Sequence, residues 1–500
     1  MAFFIQYRNL CKRVKQQLSE LDDKEKSQST VASPRLSGDT QQAGEDGGNH
    51  DKTASEDDLK KFPYAALDGI SVEEADGGEK YYQVNWESAS DPQNPHNWSR
   101  KGRIRVIFLI IGVAFVVTCS SSIDSANAPQ AAKEFGVSDV VEALGGTGIF
   151  LIGFGIGALL ASPASEMVGR YPVYVGTLMI FGCWLIGAAL SPNIGAQIAF
   201  RFLAGLFGSA PLTVAGGSIS DMFNPKEKTW AFPMFAIVGF GGPVLGPVIA
   251  SYIGFTKVLS WRWSEWVMLI ADGLVIGLLL LFKRETLGPQ LLYYKARHLR
   301  KLTGDDRFKT AAEAQGFSVG EVLKRNFTRP FILAVEPIVF CFTLYLTVIY
   351  IVLFTFLDGY PYIFERTYGI NQGLSNLCFL GLLVGIMLSM TLVPLVYHIT
   401  KKQLARDGDD GTGKVINQEM RLIFAMIEGP LMPVGLLWMA WTDYAWISIW
   451  SPIMASVLIG FSIILIFLSA YMYVIDSYEV YAASALTFVA LIRYLVAGGM

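Results

Sequence analysis

Five ionisable residues stand inside or at the edge of long apolar runs. Arg201 opens RFLAGLFGSAPLTVAGGSISDMF (201–223), Asp272 lies in LIADGLVIG and Glu428 in AMIEGPLMPVG. Asp124 closes the first apolar run and Arg493 stands in the last. A charge at the centre of a lipid bilayer costs about 2.5–3.5 kcal/mol on insertion scales, so each needs a partner or a water-filled cavity. A carboxyl group in such surroundings resists ionising and can load and release a proton near neutral pH. Asp272 and Glu428 are therefore candidates for proton carriage. Asp124 is the weakest of the three, because its position lets it reach water. For each, a structural hydrogen bond or an interfacial position is an equal alternative. Arg493 offers either a partner for one of these carboxylates or a snorkelling side chain.

Little else in the chain suggests chemistry. The five cysteines are scattered, with no CxxC pair, and the four histidines lie far apart, so neither a disulfide framework nor a metal centre is expected. No phosphate-binding G-x-x-x-x-G-K-[ST] loop, G-x-S-x-G elbow or HExxH helix is present, which argues against an enzyme and against ATP-driven work. A net charge of −3 gives no footprint for nucleic acid. No cofactor is implied.

The elements that carry the five residues are membrane spans. Charged residues are 17% of the chain against about 25% in soluble domains, which points to lipid. Runs long enough to cross a bilayer lie at roughly 104–123, 143–162, 172–190, 196–219, 230–253, 265–282, 331–357, 374–397, 420–441, 447–472 and 478–499, about eleven in all. Six precede a polar stretch (283–330) and five follow it, which implies two pseudo-symmetric halves. The expected divisions are a cytosolic, mostly disordered tail (1–98), a six-helix half (99–282), a cytosolic central loop (283–330) and a five-span second half (331–500). The tail is expected to be disordered because QQAGEDGGNHDKTASEDDLKK cannot bury a core. Lysine and arginine favour alternate loops by about five to one, which places the N-terminus and central loop in the cytosol.

Several segments share one pattern. They are DPQNPHNWSRKGR (91–103), SPASEMVGRYPVY (162–174), the Arg201 run, GFGGPVLGP (239–247), WRWSEW (261–266), RPFILAVEPIVF (329–340), LDGYPYIFERTYG (357–369) and YVIDSYEVYAASAL (473–486). Their order and content resemble the major facilitator superfamily, specifically its fungal twelve-span drug:proton antiporters, from about residue 91 to the end. That resemblance implies an all-α polytopic fold of two six-helix halves, here with the last helix missing.

It also implies roles. Glu166, Gly169 and Arg170 would form the gating loop, weakened by Met167, Tyr171 and Ser162 where the family more often has basic residues and a leading glycine. Arg201 would couple protons, and Asp221 would join the cytosolic charge network. Gly242, Pro243, Gly246 and Pro247 would be the antiporter motif, with Pro247 in place of a glycine. Glycines spaced four apart share a helix face and let another helix approach closely. Tyr345, Tyr350 and Phe354 would line a cavity for flat, amphipathic or cationic compounds, although an aromatic stripe alone equally suits packing. The implied partners are a small organic molecule, protons and the bilayer, with a monomer expected. The implied location is the plasma or vacuolar membrane. Cargo alternatives are drugs, a secondary metabolite or polyamines, the last disfavoured by the few internal carboxylates. A proton-coupled importer and a non-transporting sensor are the rival classes.

Overall fold

The computed structural model describes residues 1–31, 62–74, 78–255, 259–314, 316, 319–406, 418–422, 425–426, 429–478 and 481–500. Inside lipid every backbone group must be satisfied within its own segment, so the long apolar runs become helices. In chain order the helices include α1 (Ala2–Val31), α2 (Arg100–Ser122), α3 (Ile149–Val168), α4 (Arg170–Ala189), α5 (Ile194–Ser220), α6 (Pro225–Phe255), α7 (Trp263–Phe282), α8 (Gly288–Thr303), α9 (Pro337–Tyr360), α10 (Phe379–Leu388), α11 (Leu431–Trp441), α12 (Trp450–Tyr478) and α13 (Ala482–Gly498). Among the described residues nine segments are long and apolar enough to cross a membrane, and α11 and α13 are shorter apolar helices.

The chain forms two compact units. The larger holds Ser99–Thr286 and Val319–Met500. Its packing depends on glycine. A Cβ on Gly157 of α3 would stand 2.8 Å from the Leu206 carbonyl carbon of α5, and one on Gly205 of α5 would stand 2.9 Å from that of Phe150. The second half repeats this device. A Cβ on Gly385 of α10 would lie 2.8 Å from the Phe461 nitrogen of α12, and one on Gly460 3.0 Å from the Leu382 carbonyl carbon. Each half therefore brings a helix pair into backbone contact, the close approach that small residues permit.

Helix α6 meets α2 in the same way. A Cβ on Gly242 would come 2.9 Å from the Cys119 nitrogen, and one on Gly246 2.8 Å from the Cys119 carbonyl oxygen. The prolines are accommodated at this contact. Pro247 has no N–H to give to the carbonyl four residues back, and Ser122 Oγ of α2 donates to that Pro243 oxygen at 2.8 Å instead. Between the halves, Gly148 and Gly498 bring the N-terminal approach of α3 against the end of α13, and Phe154 meets Tyr494 at 4.7 Å between ring centres.

The smaller unit comprises Phe3–Trp98 and Leu287–Ser318. Here the expectation of a disordered tail through residue 98 and a plain central loop is corrected. Leu10, Val14 and Leu21 share one face of α1, and that face gains a core only from residues distant in sequence. Ala296 and Leu299 of α8, Tyr82 and Val84 of a strand and Phe308 complete it. The strands β1 (Ile70–Glu74) and β2 (Lys80–Val84) pair antiparallel, and β3 (Phe308–Lys309) adds parallel to β2. Tyr82 and Phe308 stack at 4.6 Å. The all-α expectation thus holds for the larger unit, while the smaller one carries a three-stranded sheet. The polar run 41–61 lies outside the described residues. In the DPQNPHNW lead-in, Asp91 accepts from the backbone of Gln93 and Glu87. The Asn97 amide donates to the carbonyls of Ala89 and Asp91. Its Asp and Asn residues are there to tie a compact turn.

Candidate functional site

Arg201 is the eighth residue of α5 and is fully buried. Its Nε lies 2.9 Å from the Asp124 carboxylate and its Nη1 3.2 Å from Glu265. Nε also donates to the Gly146 carbonyl at 3.1 Å and Nη2 to that of Ser120 at 2.9 Å, with the guanidinium 4.8 Å above the Phe150 ring. Gly146 makes room for this arrangement, because a Cβ there would stand 3.0 Å from the Asp124 side chain. Glu142, also buried, accepts from Gln197 Nε2 at 2.8 Å and lies within electrostatic reach of Asp124 and Arg201. The start of α7 is held in place by its WRW motif. Trp261 Nε1 donates to Glu134 at 2.6 Å, and Arg262 pairs with Glu134 at 2.9 Å and donates to the Ala189 carbonyl. One guanidinium thus has carboxyl groups from three segments around it.

This differs from the sequence expectation in three ways. Asp124, ranked last because it might reach water, is 4% exposed and paired with Arg201. Asp272 is equally buried but stands apart, packed beside Gly182 of α4 with no hydrogen-bond partner among the described residues. Glu428 lies outside the described residues. Sequence reasoning missed Glu265 and Glu142. Glu265 sits within the WRWSEW motif, where the aromatic residues drew attention instead. Glu142 immediately precedes the second apolar run, and its polar neighbours gave no signal of burial.

The gating-loop residues lie at one end of the same half. Gly169 adopts φ 104°, a conformation that glycine alone adopts readily, and so permits the sharp turn from α3 to α4. Arg170 Nε pairs with Asp221 at 3.1 Å, Nη1 donates to Ser165, and the guanidinium rests on Gly217. Glu166, expected to be the acidic partner, is exposed and has no ion pair among the described residues. Glu285 is the carboxylate that meets this turn instead. Fully buried just after α7, it accepts from the backbone N–H groups of Arg170 and Tyr171 at 3.0 Å each, at the N-terminus of α4. A carboxylate there meets unsatisfied N–H donors and the positive end of the helix dipole.

Lys283 is also fully buried, with Nζ 3.8 Å from the centre of the Tyr174 ring. Burial lowers its pKa to about 7, with Glu285 partly opposing the shift. The unfolded chain therefore binds more protons than the folded one between about pH 7 and 10.5, so Lys283 makes stability rise with pH across that window. Asp221 shifts the other way. Burial raises it to about 6, with Arg170 opposing, so its contribution falls as pH rises from 3.8 to about 6. Lys283→Met should raise the melting temperature of detergent-solubilised protein at pH 7, and the gain over wild type should shrink steadily toward pH 10. A gain that does not change with pH would contradict the assignment.

The aromatic residues of α9 separate into distinct environments. Tyr360 stacks on Phe379 at 4.1 Å and donates to Ser456, a structural role. Tyr345 is 37% exposed. Tyr350 and Phe354 are buried on a shared face, and Tyr350 packs on Phe240 of α6 at 5.4 Å and on Tyr494 of α13 at 5.3 Å. A cavity of about 430 Å³, open space at its mouth included, lies beside Thr229, Pro233, Val393, Arg421, Leu468 and Met472. Arg421 there pairs with Asp476 at 2.9 Å.

Residues 109–499 match the profile of the Major Facilitator Superfamily. The chain belongs to that superfamily. Among similar proteins, the MFS-type transporter kojT of Aspergillus flavus is 46% identical over 418 residues, covering 83% of this chain and 74% of that protein. The MFS-type efflux pump MFS2 of Trichophyton rubrum is 36% identical over 416 residues, covering 83% and 68%. The solved structure of the proton:xylose symporter XylE bound to 6-bromo-6-deoxy-D-glucose superposes with a TM-score of 0.58 over 80% of this chain and 87% of that one. At 13% identity it speaks for the fold alone. As a major facilitator protein, the chain is a multi-pass integral membrane transporter.

Proposed function

We propose that this transporter exports small amphipathic organic compounds, drugs or a secondary metabolite, in exchange for protons, by alternating access of two helical halves. The proton gradient is its energy source and it acts as a monomer. It would sit in the plasma membrane with its N-terminus in the cytosol. The observation that carries this reading is the Arg201 cluster. Asp124 and Glu265 pair with a single guanidinium out of contact with water, and Glu142 lies within electrostatic reach of it. Three carboxylates and one cation cannot all stay ionised there without severe desolvation cost. The cluster is therefore suited to take up and release a proton as its surroundings change. The close α2–α6 contact at Gly242 and Gly246 supports exchange over leak, because it leaves no room for water between those helices.

Polyamine export is the less favoured cargo reading. Such a cargo demands several free carboxylates facing a cavity. Of the buried carboxylates of the first half, Asp124 and Glu265 pair with Arg201, Glu142 is held by Gln197 and Asp272 packs against α4.

The test uses the purified chain in vesicles under an imposed pH gradient, with a panel of neutral, cationic and anionic aromatic compounds. Antiport is expected as compound movement opposite to the proton flow, above the rate in protein-free vesicles. Movement in the same direction as protons would make the chain a symporter. Movement indifferent to the gradient would remove proton coupling.

A further inference from the structure

Arg493 is the buried cation that the proton cluster does not explain. It lies in α13 and is 5% exposed. The other buried arginines of the helical unit all face a carboxylate: Arg201 has Asp124 and Glu265, Arg170 has Asp221, and Arg421 has Asp476. Among the described residues Arg493 has none. Its guanidinium carbon stands 4.3 Å from the ring centre of Tyr350, 4.7 Å from Tyr494, 5.3 Å from Tyr471 and 5.4 Å from Phe467. Nη2 reaches the Tyr494 hydroxyl at 3.4 Å, while Nε and Nη1 have no hydrogen-bond partner among the described residues. Ring faces offset part of the positive charge, but they leave those N–H donors unmet and supply no net negative charge.

The place matters as much as the charge. Phe240 of α6 touches Tyr350 and Phe467, at 5.4 and 4.7 Å, so the cage sits where the first half meets the second. That seam must part if the halves alternate.

We propose that Arg493 and its ring cage form the subsite for an anionic group of the cargo. The cargo is then a small aromatic acid, whose carboxylate supplies the missing counter-charge while its ring lies against the tyrosines. The proposal rests on the exporter reading and sharpens it. A guanidinium presents a planar fork of donors that suits a carboxylate, and aromatic walls suit an aromatic ring. It also reverses the sign expected from the α9 aromatics. The Tyr350 face, a candidate for binding cationic compounds, already lies against the protein's own guanidinium, so a cationic cargo is repelled there. Moving an anion out while a proton moves in carries net positive charge inward, so an inside-negative membrane potential assists such export.

The test is binding to the purified full-length chain in detergent, read as a shift in melting temperature. Benzoate and 4-hydroxybenzoate are compared with their methyl esters and with benzyltrimethylammonium. The acids should stabilise wild type while the esters and the cation do not, a contrast that needs no variant. Arg493→Gln should weaken binding of the acids about 30-fold or more, the low end of the cost of losing one partner of a buried charge pair. Arg493→Lys, which keeps the charge and loses the fork, should fall between. Equal stabilisation by acid and ester, or by the cation alone, overturns the proposal. So does undiminished acid binding by a folded Arg493→Gln. If the acids bind through Arg493 yet no compound moves against protons in vesicles, the subsite stands and the antiport reading fails.

Discussion

Arg201→Gln should abolish gradient-driven transport, lowering the initial rate by about two orders of magnitude or more, and Arg201→Lys should recover little of it. Glutamine removes the cation and leaves Asp124 and Glu265 facing each other in a site closed to water. Breaking a buried ion pair on one side costs about 3–5 kcal/mol. The carboxyls escape that cost by staying protonated, and a cluster that cannot release its protons cannot couple. Lysine fails for a geometric reason. Arg201 reaches two carboxylates and the carbonyls of Gly146 and Ser120 with different nitrogens, whereas a lysine offers a single ammonium at the end of its stem. Loss of fold and loss of coupling are separable. The double variant Arg201→Gln with Glu265→Gln removes much of the unpaired charge, so its melting temperature should recover toward wild type while proton-driven transport stays absent. A well-folded Arg201→Gln protein with near wild-type antiport would exclude the cluster from coupling.

What the sequence revealed and what it concealed divide along physical lines. Most of the spans and the helix-facing glycines at 242 and 246 were legible because each follows from a local pattern: an apolar run or a four-residue repeat. The Arg201–Glu265 pair was not, since it joins helices distant in sequence and no periodicity records which carboxylate meets which cation. Glu166 and Glu285 show the same limit. Both lie beside the loop, but only Glu285 is placed by the end of α7 under the first N–H groups of α4. The N-terminal unit was hidden for a related reason. Leu10, Val14 and Leu21 make a weak stripe on a polar helix, and the residues that bury it, Ala296, Leu299 and Phe308, come from the stretch after the sixth span. Arg493 was visible as a charge in an apolar run, but its environment of rings without a carboxylate required coordinates.

The second large effect concerns GFGGPVLGP, and its glycines should not behave alike. Alanine in place of a helical glycine ordinarily gains up to about 1 kcal/mol. Gly239 has no heavy atom within 4 Å of where a Cβ would stand, so Gly239→Ala should be neutral or mildly stabilising. At Gly246 the added Cβ would sit 2.8 Å from the Cys119 carbonyl oxygen, and at Gly242 2.9 Å from the Cys119 nitrogen. These neighbours are backbone and cannot rotate away, so α2 and α6 must move apart. Overpacking of this kind costs about 1–3 kcal/mol. Separation also strains the Ser122–Pro243 hydrogen bond, and leaving that carbonyl unpaired costs about 1–3 kcal/mol more. Gly246→Ala should therefore melt well below Gly239→Ala in detergent, and Ser122→Ala should follow it in part. Passive proton entry into vesicles without cargo tells sealing from packing. If the contact seals, Gly242→Ala and Gly246→Ala should leak faster than Gly239→Ala in proportion to their loss of stability. Lower melting with unchanged leak would reduce the motif to helix packing, and equal melting of all three variants would show that α2 and α6 do not require the close approach.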